Sequence, residues 1–399
     1  MKVKIIADFL PKLRQPVRLP NYGILEGNMI TAFAQKHQLP AFRITQFNQA
    51  FYKEVISSFD ELTTWPKELR EKLKKVVTFS TISPIKQLKS LDDGTEKVLF
   101  KRLSDKKLFE SVLMQHKDGR NTVCVSCMIG CPLGCKFCAT GKMKFIGNLS
   151  SQEIIDQALY FARILTKQNQ TITNIVFMGM GEPLLNLEQV LGAIKIFNDP
   201  EFMGYGIRRI TISTSGITPK IYELMKSGYK GRLALSLHAP DQKLRETIMP
   251  IAKKYLLPEL ISTVKAFATR TQLRVSYEYI LIDQLNDQPK HARALAKLIG
   301  SPRNLEYMPG TFSRSLRDKH ISISRLNKKA LRLRGKKNSE LVHVNLIPFN
   351  PVIETDFKRS PLKSVYSFAH TLTDLGISNT VRVTMGNDIK AACGQLATE

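Results

Sequence analysis

The sequence predicts an α/β fold: a partial (β/α) barrel of the TIM type, preceded by a small helical N-terminal domain. Three observations carry that prediction. From Ser150 onward, strand-like and helix-like stretches alternate, which implies a parallel sheet whose strands are joined by crossover helices. Residues 1–95 lack that rhythm and read as helical. Between the two, residues 96–121 alternate apolar and polar positions around a polar turn, the signature of a hairpin. The expected division is a helical accessory domain at 1–95, a β-hairpin connection at 96–121, and a barrel core at 122–399.

Within the helical unit, Phe42, Ile44, Phe47, Ala50, Phe51 and Val55 fall mostly at helical spacings and are expected to be core. Pro66 suits the start of a further helix, KELREKLKKVV. The hairpin is EKVLFKRL and LFESVLM around Ser104 and Asp105, with Glu110 on its second strand. A strand through Val123 and Val125 follows, and then the helix SSQEIIDQALYFARILTK, with Ser150 or Ser151 as its cap and Glu153 or Asp156 near its positive end. Expected strands are 174–180, 208–216, 232–240, 273–282, 342–350 and 379–385, with helices between them. In such a barrel, functional side chains gather at the C-terminal ends of the strands. Gly181-Glu182, Ser213, Ser236-Leu237-His238 and Asn350 all fall there. Each is weak alone, since glycine-rich strand ends are often turns, but their recurrence along one rim is informative.

Composition narrows the class. Sixty Lys+Arg against 34 Asp+Glu leave a net charge of +26. An enzyme of small metabolites has no use for that excess, whereas a phosphate backbone attracts it. Part of the excess is local: residues 301–340 hold eleven Lys/Arg and three Asp/Glu, a basic insertion between two expected strands. It reads equally as a solvated loop and as an RNA contact. No apolar run is long enough to cross a bilayer, and the N-terminus lacks the pattern of a signal peptide, so no membrane association and a cytoplasmic location are expected.

Five of the six cysteines lie in NTVCVSCMIGCPLGCKFCATG, residues 121–141; the sixth is Cys393. In a reducing compartment such clustering points to metal or catalysis rather than disulfide scaffolding. Cys124-x2-Cys127 and Cys135-x2-Cys138 could close a four-thiolate zinc site, although the gap between them is short and Cys131 is left over. A redox dithiol is a second reading. The third, and the favoured one, is a [4Fe–4S] cluster on Cys131, Cys135 and Cys138, whose C-x3-C-x2-C spacing leaves one iron open to an external ligand.

CVSCMIGCPLGCKFCATG, FMGMGEPLLN, ITISTSG, LSLHAP, NLIPFNP and DIKAACGQL occur in that order. Over about residues 20–399 this series resembles the RlmN/Cfr family of radical S-adenosylmethionine RNA adenine methyltransferases, most closely its RlmN branch. The resemblance implies a radical SAM barrel with one [4Fe–4S] cluster on Cys131, Cys135 and Cys138, and two S-adenosyl-L-methionine molecules per turnover. It implies that the thiolate of Cys393 takes a methyl group from the first. The second, reduced by the cluster, would give a deoxyadenosyl radical that activates this methyl for attack on adenine. The resulting protein–RNA adduct would be released when Cys124 forms a disulfide with Cys393, with Glu110 as proton acceptor. Gly181, Glu182, Ser213, Ser236, Leu237, His238 and Asn350 would contact S-adenosylmethionine. Glu182-Pro183 and Ser213-Thr214-Ser215 are similar to the C2 branch. The implied partners are 23S rRNA in its peptidyl-transferase region, tRNA beside the anticodon, and an electron donor such as flavodoxin, with the chain a monomer.

Two competitors stay open: a C8-specific adenine methyltransferase of the Cfr type, and a non-catalytic RNA-binding protein with a structural zinc site. The chain also departs from the family pattern. Cys127 stands where serine is usual, Met385 replaces an arginine, and Asn387 and Lys390 replace acidic residues.

Overall fold

A computed structural model describes residues 25–300, 342–352 and 355–397. The basic insertion at 301–340 lies outside the described residues. Ten strands form one sheet: β1 (Ile82–Lys89), β2 (Glu96–Arg102), β3 (Leu108–Gln115), β4 (Asn121–Cys124), β7 (Asn174–Phe177), β8 (Ile210–Thr214), β9 (Arg232–Ser236), β10 (Val275–Leu281), β11 (Val342–Pro348) and β12 (Asn379–Val381), in that spatial order. A small separate ladder pairs β5 (Met128–Ile129) with β6 (Gly147–Asn148). From β4 to β12 every neighbouring pair is parallel, and each link between consecutive strands of that row carries a helix. Among the described residues no pairing joins β12 back to β4, so the sheet is an open, partial barrel.

The elements follow from their sequences. The helix Ser151–Thr166 begins with a full capping box: Ser150 accepts from the Glu153 N–H, and Glu153 accepts from the Ser150 N–H. The central strands run Ile, Val, Leu and Phe on the helix-covered face, as buried parallel strands do. The hairpin forms as expected, β2 pairing antiparallel with β3 and Phe100 opposite Phe109.

Three details differ from expectation. Residues 82–89 are not part of the helical unit: β1 pairs antiparallel with β2 and extends the sheet. Its Ile-Ser-Pro-Ile start hides an edge strand with a register shift after Pro84, a setting in which proline is tolerated. Phe42 is exposed, with Arg43 lying over its ring, while Phe47, Ala50, Phe51 and Val55 are buried. Phe42 precedes Phe47 by five residues and so points away from the buried face. The last strand, expected over 379–385, is only three residues long.

The helices Leu25–Lys36, Ala41–Asn48 and Lys67–Lys74 do not enclose a separate core. Trp65, stacked near Phe33 and Phe47, belongs to the same apolar cluster as the barrel strands. Phe42 apart, the aromatics Phe33, Phe47, Phe51, Phe59 and Trp65 are buried packing groups rather than exposed stacking platforms. Among the described residues no helix is long and apolar enough to cross a membrane.

Candidate active site

At the C-terminal ends of the parallel strands lies a cavity of about 140 Å³. The chain from Gly130 to Ile146 closes over it. Pairing of β5 with β6 ties the two ends of this loop together, and the Ile146 N–H donates to Ile129 O at 2.9 Å. Inside the loop, the Cys138 N–H donates to Cys135 O and the Gly141 N–H to Cys138 O, while the Lys136 N–H reaches Ile248 O. Gly141 is packed so closely that a Cβ would sit 2.7 Å from Cys135 O. These contacts place Cys131, Cys135 and Cys138 together on the cavity wall, all with free thiols.

Burial raises all three thiols above the ordinary range, Cys131 up to about 12, and Cys131 and Cys138 act on Cys135 as like charges would. A metal group binding here must therefore displace protons. Among the described residues no group of His, Cys, Asp and Glu is gathered closely enough to hold a single metal ion. A cuboidal cluster asks something different, one thiolate for each of three irons. Three thiols lining one cavity fit that requirement. The two C-x2-C pairs, by contrast, are split: Cys127 is buried, its thiol donating to Met180 O at 3.6 Å, and Cys124 is buried at the end of β4, outside the cavity lining.

Cys393 arrives from the far end of the chain on a segment with many ties. The Ala139 N–H donates to Gly394 O at 2.7 Å, and Thr140 Oγ1 donates to Leu396 O at 2.6 Å. Asn350 Nδ2 donates to Cys393 O at 3.1 Å. The Ala397 N–H donates to Glu110 Oε2 at 3.0 Å, and Glu110 makes a buried ion pair with Lys97, N to O 3.0 Å. Lys97 also donates to Lys390 O at 3.2 Å, and Asp93 accepts from the Gly386 N–H at 2.8 Å. Cys393 is exposed as a residue, while its thiol is turned toward the protein and lines the cavity, where desolvation acts on it first. The surrounding protein raises its thiol, and the Arg382 charge pulls the other way. Cys124 is fully enclosed and pushed up to about 12, by burial first and then by Cys393.

The opposite wall is polar. Ser213 and Ser236 Oγ atoms are 3.4 Å apart, on adjacent parallel strands. Ser236, Glu278 and Asn345 stand in register across β9, β10 and β11, and Asn345 Nδ2 donates to Glu278 Oε1 at 2.8 Å. Arg382 approaches Glu278 Oε2 at 3.3 Å. Glu182 accepts from the Ser215 N–H (2.8 Å), the Ser215 hydroxyl (2.9 Å) and the Leu184 N–H (3.1 Å). That uses three of the roughly four acceptor positions of a carboxylate. Beside it, Gly181 has φ +104°, and a Cβ there would lie 2.5 Å from Met128 Cβ, so no other residue fits. His238 is buried against Phe137, and its Nδ1 accepts from the Ile280 N–H at 3.1 Å. The neutral ring thus carries its proton on Nε2. Burial, with the Arg245 charge nearby, holds its pKa down to about 3.

Of the residues expected to hold S-adenosylmethionine, Gly181, Glu182, Ser213, Ser236 and His238 line the cavity. Leu237 does not: its side chain is fully buried in the core. Asn350 does not either; it holds the Cys393 backbone and accepts from Arg359 at 3.1 Å. Sequence reasoning passed over Glu278, Arg382 and Arg245. For the first two a signal was present, a charge set inside an otherwise apolar strand pattern. Arg245, in a short helix of mixed composition, gave none.

Comparison with known proteins agrees with this geometry. Residues 125–296 match the model of the radical SAM superfamily. A "Probable dual-specificity RNA methyltransferase RlmN" from Dictyoglomus thermophilum is 38% identical over 90% of this chain and 90% of its own length. A protein of the same name from Bacillus subtilis is 37% identical over 96% of this chain and 95% of its own. The crystal structure of a radical SAM methyltransferase from Sphaerobacter thermophilus superimposes with a TM-score of 0.79 at 36% identity, covering 93% of this chain and 97% of that one. The chain is an enzyme and belongs to the RlmN family of radical S-adenosylmethionine RNA methyltransferases.

Proposed function

We propose that this enzyme methylates C2 of an adenosine in 23S rRNA, in the peptidyl-transferase region, and an adenosine beside the anticodon of tRNA. The observation that carries the reading is the meeting of Cys393 with Cys131, Cys135 and Cys138 on one cavity, across more than two hundred residues of sequence. Cys131, Cys135 and Cys138 would hold the [4Fe–4S] cluster, which when bound supplies the electron for splitting S-adenosylmethionine.

The chain's own residues account for the rest. Cys393 is the methyl carrier. Its sulfur attacks the sulfonium methyl, the new S–C bond forms as the old one breaks, the electron pair leaves on the departing thioether, and the thiol proton goes to solvent. Lining the cavity on an exposed segment, it is placed to meet both the methyl donor and a base. Cys124 is the resolving thiol, kept protonated by burial until its partner has reacted. Glu110, behind the tail, is the proton acceptor, and Lys97 holds it in place. Gly181, Glu182, Ser213, Ser236 and His238 seat S-adenosylmethionine. Leu237 and Asn350 act from behind, Asn350 by fixing the backbone of Cys393. The site acts in the cytoplasm, on a monomeric chain served by a donor such as flavodoxin.

Mass mapping of methyladenosine isomers in rRNA and tRNA, from cells with and without the gene, tests the reading. Gene-dependent 2-methyladenosine in both RNAs supports it. Gene-dependent 8-methyladenosine would replace it with the C8 reading, and a colourless protein that binds zinc and no iron would overturn both.

A further inference from the structure

Arg245 is fully buried in the helix Gln242–Ile248, beneath the floor of the cavity. Its Nε donates to Leu237 O at 3.2 Å, and its Nη2 donates to Ser215 O at 2.6 Å and Ser236 O at 3.3 Å. These carbonyls stand at the ends of β8 and β9. Its Nη1 is buried with no hydrogen-bond partner. Among the described residues no carboxylate is paired with it, and Ser215 and Ser236, whose carbonyls it holds, line the same cavity as Cys135. The same helix ends at Ile248, whose carbonyl accepts from the Lys136 N–H, next to Cys135.

A guanidinium stays charged in any protein, and a charge walled off from water without a counter-charge is strongly unfavourable. Carbonyl dipoles offset only part of that penalty. Three thiolates on a cluster whose core is cationic leave a net negative group beside Cys135, and reduction makes it more negative. We propose that Arg245 is a positioning residue for the cluster: its fixed charge and orphan N–H balance the anionic group, so that cluster and guanidinium stabilise each other. Cluster loading then completes the packing of the strand ends as well as arming the site. The inference rests on the assignment of the cluster to Cys131, Cys135 and Cys138.

The test uses the full chain, purified anaerobically and compared with and without iron–sulfide reconstitution, as wild type, Arg245→Met and Arg245→Lys. Melting, iron loss to a chelator and the midpoint potential are read for each. Without the cluster, R245M is expected to melt at or above the wild-type temperature, because the uncompensated charge is gone. Loaded, it should gain less stability than wild type, lose iron several-fold faster, and be about tenfold harder to reduce, a potential about 59 mV lower for a one-electron couple. R245K should fall nearer wild type in retention and potential. Equal iron retention and potential in wild type and R245M would overturn the proposal. So would an R245M chain that fails to fold without the cluster, or equal behaviour of R245K and R245M, since each makes the guanidinium a purely structural hydrogen-bond donor. Wild-type protein that takes up no iron would instead remove the cluster assignment itself, a different failure.

Discussion

Cys131, Cys135 and Cys138 share one cavity wall with Cys393, behind which Cys124 is buried, but the two sets of thiols are held by different means. Cys131, Cys135 and Cys138 come from eight consecutive residues, positioned by short-range hydrogen bonds and a glycine that only just fits. Cys124 and Cys393 come from opposite ends of the barrel. Cys124 is fixed by β4, and Cys393 by a tail tied to β2, β3, the cluster loop and Asn350. Local geometry holds the first set, and tertiary structure holds the second. Perturbations should therefore separate them.

The largest effect is expected from the thiols themselves. Cys131→Ala should abolish retention of iron and sulfide and, with it, all methylation. Cys393→Ala should keep iron at the wild-type level while methylation is lost to the same extent. Iron and sulfide analysis beside RNA methylation assays reads both. Iron loss in the Cys393 variant would show that the two sets are one unit.

Next in size is the anchor of the tail. Lys97→Met leaves the Glu110 carboxylate enclosed without its cation, a change that typically costs about 3–5 kcal/mol. Urea unfolding of the apo chain should show that loss, and Lys97→Met combined with Glu110→Gln should recover much of it. The comparison sharpens if K97M protein still takes up a full cluster, because the damage then stays on the tail side.

The contrast also explains what could be read in advance. The barrel was legible because parallel strands and amphipathic helices impose periods of 2 and 3.6 on the sequence, and the meeting of Cys131, Cys135 and Cys138 because the three thiols sit within one loop. β1 escaped because it is an edge strand with a proline, and the shortness of β12 because its alternating pattern continues beyond Val381, where the pairing with β11 stops. The proposed pairing of Cys124 with Cys393 left no mark in local spacing, and it entered only through the resemblance to a known family. Arg245 left none at all, since its burial depends on where a seven-residue helix lands.

A third perturbation reaches the floor that both sets share. His238 titrates near pH 6.5 when unfolded and only at about 3 in the native chain. Between those values the unfolded state binds more protons, so its contribution to stability is lost as pH falls, by about 1.4 kcal/mol per pH unit. Asparagine tolerates the positive φ of this position, +60°. The stability gap between wild type and His238→Asn, measured on apo protein from pH 7 to pH 4, should shift in favour of the variant below about 6.5. A gap independent of pH would mean that the ring is protonated in the native state.

The smallest effect is also the most selective. Thr140 sits in the cluster loop, yet its hydroxyl is spent on the tail, donating to Leu396 O at 2.6 Å in a site closed to water. Thr140→Val keeps the shape and removes that bond, a loss of about 1 kcal/mol, together with the hydroxyl's contact to the Cys138 thiol. Because Cys131, Cys135 and Cys138 themselves are kept and only a weak hydroxyl contact to Cys138 is lost, iron content should stay close to the wild-type level. Because it loosens the segment carrying Cys393, alkylation of that thiol by iodoacetamide should be faster and methylation slower. If instead iron falls while Cys393 reactivity stays constant, the bond serves the loop rather than the tail, and the line drawn between the two sets must move to include Thr140 with the cluster.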